Sequence, residues 1–204
     1  MAETWYTIGS FTFPSSWGGI LASLILTYLF LYFWNREASD WYSSAVFIFI
    51  IVWKLSVIVV DYPMVIEHPL TILYFHGGKI GYWLGILTTL IYIYLKKRVS
   101  STNVITSWIS TVVFFEMVYH LLELDFLLAV IHFITNGTLL VFLLKKSNGP
   151  KWDLWAVQFV IVFTLLQFFF QSILEGFAFT TVTWTYLAVM IYLILLYGRR
   201  KHIE

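Results

Sequence analysis

Apolar residues in this chain run in long blocks and do not alternate with polar ones. Blocks close to the ~20 residues that cross a hydrocarbon core as a helix fall at about 16–34, 44–61, 79–95, 104–121, 126–144, 154–174 and 179–197. The dyad alternation of a lipid-facing barrel strand is missing, which leaves helices as the spanning form. The pattern therefore predicts an all-α, polytopic membrane helix bundle of seven transmembrane helices. Residues 1–204 form one integral membrane domain in this reading. The fourth block is the weakest, because Ser107, Ser110, Thr111, Glu116 and His120 interrupt it. Two connections read as loops, 35–43 and 62–78. The second mixes Pro63, Glu67, His68 and Pro69 with Met64, Val65, Ile66, Leu70, Ile72 and Leu73, so it reads as interfacial or re-entrant.

Charge tests the count. Arg36, the run Lys96-Lys97-Arg98, the lysines Lys145, Lys146 and Lys151, and the run Arg199-Arg200-Lys201 each follow an odd-numbered block. Glu3, Asp61, Glu67, Glu123, Asp125 and Glu175 occupy the other ends, and Lys54 and Lys79 break the segregation. By the positive-inside rule the N-terminus lies outside and the C-terminus in the cytoplasm. An even number of spans would scramble that segregation. Trp5, Trp17, Trp34, Trp41, Trp108, Trp152, Trp155 and Trp184 stand near block ends, as an interfacial aromatic belt requires.

Composition narrows the function classes. With 60% hydrophobic and 11% charged residues, a soluble domain could not clothe its surface. A net charge of +1 supplies no basic field for nucleic acid. Cysteine is absent, which removes disulfides, thiolate ligands and a thiol nucleophile. The stretch before the first block has no Lys or Arg, so the first helix is expected to stay in the mature protein.

Ionisable groups inside the blocks are the candidate chemistry, since they are costly at depth. Lys54 and Glu116 sit at similar depth on the second and fourth spans. They read either as a structural pair or as a lysine holding an anionic group with an acid beside it. His120 follows Glu116 by four residues, on the same helix face. That spacing fits two ligands of one metal, but no second such pair accompanies it, and a core histidine is the expected role. No metal and no cofactor is expected. Gln167, Gln171 and Glu175 form a stripe on the sixth span, and Asn136 and Gly137 interrupt the fifth. These positions predict a polar pocket open to the outside.

The stretch "FHGGKIGYWLG" adds His76, Gly77, Gly78 and Lys79 at a helix start. Paired glycine amides there favour anionic oxygens, Lys79 adds charge, and His76 adds a proton donor or acceptor. Gly81 and Gly85 make a small-residue face for helix packing.

On these residues the chain resembles the bacterial prolipoprotein diacylglyceryl transferases, as a divergent, shortened member. "PLTILYFHGGKIGYWLGIL" is similar to their segment with a histidine and two glycines at a helix start. "IGSFTFPSSWGGILASL" resembles their opening, and "VWKLSVIVVDYP" their second helix, with Lys54 near a family arginine position. Where the family carries an arginine and an asparagine-rich run, this chain reads "FFEMVYHLLELDF"; where it has arginine and glutamate four apart, Gln167 and Gln171 stand. The resemblance implies a bacterial plasma-membrane protein that takes phosphatidylglycerol from the outer leaflet for transfer to a lipoprotein precursor. His76 would be the catalytic residue. Gly77 and Gly78 carry over with it, and Lys54 stands as a replacement for a family arginine; together with Lys79, Glu116, His120, Gln167 and Gln171, read from the residues themselves, they are the expected lipid-site residues. The alternatives are a non-catalytic lipid- or lipoprotein-binding partner subunit, and a small transporter or sensor.

Overall fold

The computed structural model describes residues 4–9, 11–68, 72, 77–96, 99–147, 149, 152–176 and 179–201. Its fold class is all-α and polytopic, with seven helices long and apolar enough to cross a membrane. Contacts group the chain into two compact units, residues 1–34 with 100–204, and residues 35–99.

The first unit opens with a two-stranded antiparallel hairpin, β1 (Trp5–Ile8) and β2 (Phe11–Pro14), in which Trp5 faces Pro14 and Ile8 faces Phe11. The sequence reading did not anticipate it. The signal was present: two short runs of aromatic and β-branched residues flank Gly9, whose φ of 64° suits a tight turn. The chain then enters α1 (Ser15–Trp34). The unit continues with α6 (Ser101–Leu122), α7 (Phe126–Lys146), α8 (Trp152–Glu175) and α9 (Thr181–Lys201). Of these, α6 is the centre: it packs against α1, α7 and α9. This explains why it carries so many polar residues. Thr106, Ser107, Ser110, Glu116 and His120 are all buried against protein, so no lipid meets them.

The second unit holds α2 (Arg36–Leu55), α3 (Val57–Val60), α4 (Tyr62–Glu67) and α5 (Gly78–Leu95). The segment 35–43 corrects the expected loop, since it forms the first turns of α2. Asn35 caps the helix by accepting from the Ala38 amide at 3.2 Å, and Glu37 lies in the first turn, where a negative charge suits the helix dipole. Ala38, Ser39, Trp41 and Tyr42 are buried, so tertiary packing holds those turns although their composition is polar. Part of the expected loop 62–78 is also helical, with Pro63 in the first turn of α4.

Helix α5 packs tightly on α2 through the small face read in the sequence. A Cβ on Gly81 would collide with Ser56 Oγ, and one on Gly85 would lie 2.9 Å from the Phe49 ring and 3.1 Å from its carbonyl oxygen.

Candidate functional site

Titratable and amide side chains gather in the first unit, at the end of its helices where the hairpin sits. The charge pattern assigns that end to the outside. Each helix delivers its groups by spacing alone. Glu116 lies six residues before the end of α6, His132 six residues after the start of α7, and Tyr186 five after the start of α9. At 1.5 Å per residue all three reach the same level, roughly 8–9 Å inside the helix ends.

At that level Glu116 is the hub. Its Oε1 accepts a hydrogen bond from the Tyr186 hydroxyl. Its Oε2 lies 3.6 Å from His120 Nε2, the neighbour one turn along α6, and 4.0 Å from His132 Nδ1 across the α6–α7 contact. The two imidazoles stack, with centroids 4.7 Å apart and planes at 29°. Phe170 of α8 covers the other side of His132 at 4.6 Å. His132 is 3% exposed, and neither of its ring nitrogens has a hydrogen-bond partner among the described residues.

One turn deeper, Asn136 and Gln167 close a reciprocal pair between α7 and α8. Gln167 Nε2 donates to Asn136 Oδ1 at 2.7 Å, and Asn136 Nδ2 donates to Gln167 Oε1 at 3.3 Å. Gln171 continues the α8 stripe: its Nε2 donates to Thr180 Oγ1 at 2.7 Å, and its oxygen accepts from the Thr183 hydroxyl. The expected stripe of Gln167 and Gln171 thus belongs to the same end of the unit as Glu116 and His120. It is engaged in helix–helix bonding.

The hairpin is latched beside this cluster. The Thr4 amide and hydroxyl donate to the two Glu123 carboxylate oxygens at 3.2 and 2.9 Å, and Ser15 Oγ donates to the first of them. The Tyr6 hydroxyl donates to the Leu122 carbonyl. Burial raises the Glu123 pKa, but hydrogen bonds from Ser15 and Thr4, with the nearby His120 charge, outweigh it and hold the carboxyl below its usual range.

The remaining expected residues lie in the second unit. His76 falls outside the described residues. The Gly77 amide donates to the Trp53 carbonyl at 3.4 Å, so that amide is engaged in packing α5 on α2. Gly78 has a φ of 57°, and both it and Lys79 are exposed. Lys54 is half-buried near the end of α2.

His132 escaped the sequence reading because it belongs to no local spacing motif. Its partners stand on the preceding helix, and only the short α6–α7 turn brings it opposite them. The signal that could have found it is an ionisable residue one and a half turns inside an apolar span, level with Glu116 on an antiparallel neighbour.

Comparison with protein-family models, with characterised proteins and with solved structures finds no match.

Proposed function

We propose that the protein is a multi-pass protein of a bacterial plasma membrane that handles phospholipid at the outer leaflet, in the manner of a prolipoprotein diacylglyceryl transferase. Its proton-transfer centre is the cluster of Glu116, His120, His132 and Tyr186. The observation that carries this reading is His132, a buried imidazole with two unbonded nitrogens beside a carboxylate and a second imidazole. Such a group costs stability, and costly titratable groups collect where chemistry uses them. Its level supports a lipid substrate. A site within two turns of the helix ends is close to the glycerol and ester groups that lie outside the ~30 Å hydrocarbon core.

The reaction implied by the resemblance balances simply. A cysteine thiol of the lipoprotein precursor gives its proton to an imidazole. Its sulfur bonds the glyceryl carbon of phosphatidylglycerol, and the carbon–oxygen bond to glycerol phosphate breaks, the phosphate keeping the electron pair. By resemblance alone, His76 would be a catalytic histidine and Lys54 and Lys79 phosphate ligands; the Glu116 cluster does not depend on them. A second reading is a lipid- or lipoprotein-binding partner subunit without chemistry. It is favoured by the Gly77 amide, which bonds Trp53 where an anion cradle would leave it open.

The test uses purified full-length protein, phosphatidylglycerol labelled in its acyl chains, and a peptide with the precursor cysteine. The expected result is label on the peptide, falling about 10²-fold or more in Glu116→Gln and in His132→Ala, the usual range for a lost acid or base. Retained phosphatidylglycerol without transfer would establish the binding reading. Neither retention nor transfer would sink both.

A further inference from the structure

The same side chains admit a second use that needs no lipid; while an ion is bound, the ligating nitrogens hold it and do not carry protons. Glu116, His120 and His132 each offer one ligand atom, and these atoms all lie within 4.8 Å of one another. We infer that these three side chains form a binding site for a divalent transition-metal ion of the zinc class, held between α6 and α7.

The donor chemistry is right for such an ion: two imidazole nitrogens and one carboxylate oxygen, with no thiolate in the chain. The spacing is nearly right already. Zinc bonds of about 2.0–2.2 Å in a tetrahedron place neighbouring ligand atoms about 3.4 Å apart. The carboxylate oxygen stands 3.6 Å from His120 Nε2 and 4.0 Å from His132 Nδ1, and all three ligand atoms lie within 4.8 Å of one another, so the side chains must draw together to close the triangle. Smaller hard ions such as magnesium demand oxygen ligands and octahedral geometry, which this set does not offer.

Independent features point the same way. His132 is buried with both nitrogens unsatisfied, and a metal would take one while the ring proton stays on the other. Tyr186 donates to Glu116 Oε1, while the other oxygen, Oε2, is the one near His120 and His132. Outer hydrogen bonds of this kind fix the ligands of known metal sites. Phe170 packs on the His132 ring, with centroids 4.6 Å apart. The i, i+4 pair on α6 supplies two ligands from one rigid element, and α7 supplies the third. Three protein ligands leave a fourth tetrahedral position open, the arrangement of reactive rather than purely structural zinc sites.

The experiment uses full-length protein purified with a histidine-free tag, stripped with a chelator and titrated with Zn2+ and Co2+ alone. One equivalent should bind with sub-micromolar affinity by competition with a chromophoric chelator. Co2+ should give the intense visible bands of a four-coordinate site. His132→Phe keeps the aromatic contact with Phe170 and should weaken binding at least about 100-fold; Glu116→Gln should weaken it at least about tenfold. His68→Ala, on an exposed residue of the other unit, should leave it unchanged. X-ray absorption at the zinc edge of the wild-type protein should count two imidazoles, a measurement that does not depend on any variant folding. Binding no tighter than about 10 μM, fewer than two imidazoles at the edge, or full affinity in a folded His132→Phe would overturn the site. Lipid transfer is not measured in any arm, so its failure leaves this result standing.

Discussion

His132 on α7 stacks on His120 of α6 with ring centroids 4.7 Å apart, and both rings border the Glu116 carboxylate. Two imidazoles in that arrangement repel once both are protonated, and among the described residues His132 has no hydrogen bond to offset its burial. His132→Phe should therefore hold or raise the melting temperature in detergent, since an apolar ring of similar shape removes the buried unsatisfied nitrogens. A gain in stability with a loss of ligand binding is the signature of a position kept for function. A fall of many degrees would show that the imidazole stabilises the fold.

Tyr186→Phe should act in the opposite sense. It removes a hydrogen-bond donor to a largely buried carboxylate. The cost should be roughly 1–3 kcal/mol, read from chemical or thermal unfolding in detergent. In Glu116→Gln the same change should cost less, because the charge needing the donor is gone. A double-mutant cycle checks that ordering.

Asn136 and Gln167 join α7 to α8 by two reciprocal hydrogen bonds in the unit's interior. Polar pairs between membrane helices average ~0.6 kcal/mol with a maximum near ~1.7, and a coupling energy in that range is expected for Asn136→Ala with Gln167→Ala. Zero coupling would mean that the amides only fill space.

Glycines separate by what surrounds them. Gly85→Leu would drive a side chain into Phe49 and should cost roughly 1–3 kcal/mol or prevent α5 from seating on α2. Gly137→Ala, with nothing within 4 Å of the added carbon, should be neutral or gain up to ~1 kcal/mol through helix propensity. Melting temperatures of the two variants, measured side by side, decide the matter.

Glu123 makes the hairpin latch sensitive to acid. Its folded-state pKa lies below the ordinary value, so the latch is at full strength above about pH 5 and weakens as pH falls through the lowered value. Hydrogen exchange in residues 4–14 should speed up several-fold between about pH 6 and pH 3, after correction for intrinsic rates. In Glu123→Gln that pH step should vanish.

Much of the fold was legible because lipid imposes it. Seven apolar blocks, and basic residues such as Lys96, Lys145 and Arg199 after alternate blocks, follow from the cost of placing peptide groups and charges in hydrocarbon. The limits of the blocks were less legible. Residues 35–43 are too polar to span, yet an Asn35 cap and the burial of Trp41 and Tyr42 make them helical. The site was half legible. Glu116 and His120 declare themselves by four-residue spacing, and Gln167 and Gln171 by theirs. His132 and Tyr186 join them through antiparallel packing, which no local window contains.

The central position of α6 also bears on how the protein is made. A segment carrying Thr106, Ser110, Glu116 and His120 enters bare lipid poorly, and it leaves the ribosome before α7, α8 and α9 exist. Helix α1, already in place, can shelter one flank, and α7 follows after a turn of only a few residues, so the two can insert as a hairpin. Biogenesis should therefore stall at this helix until its later neighbours arrive. Chains truncated before α7 should be the ones that membrane quality control removes.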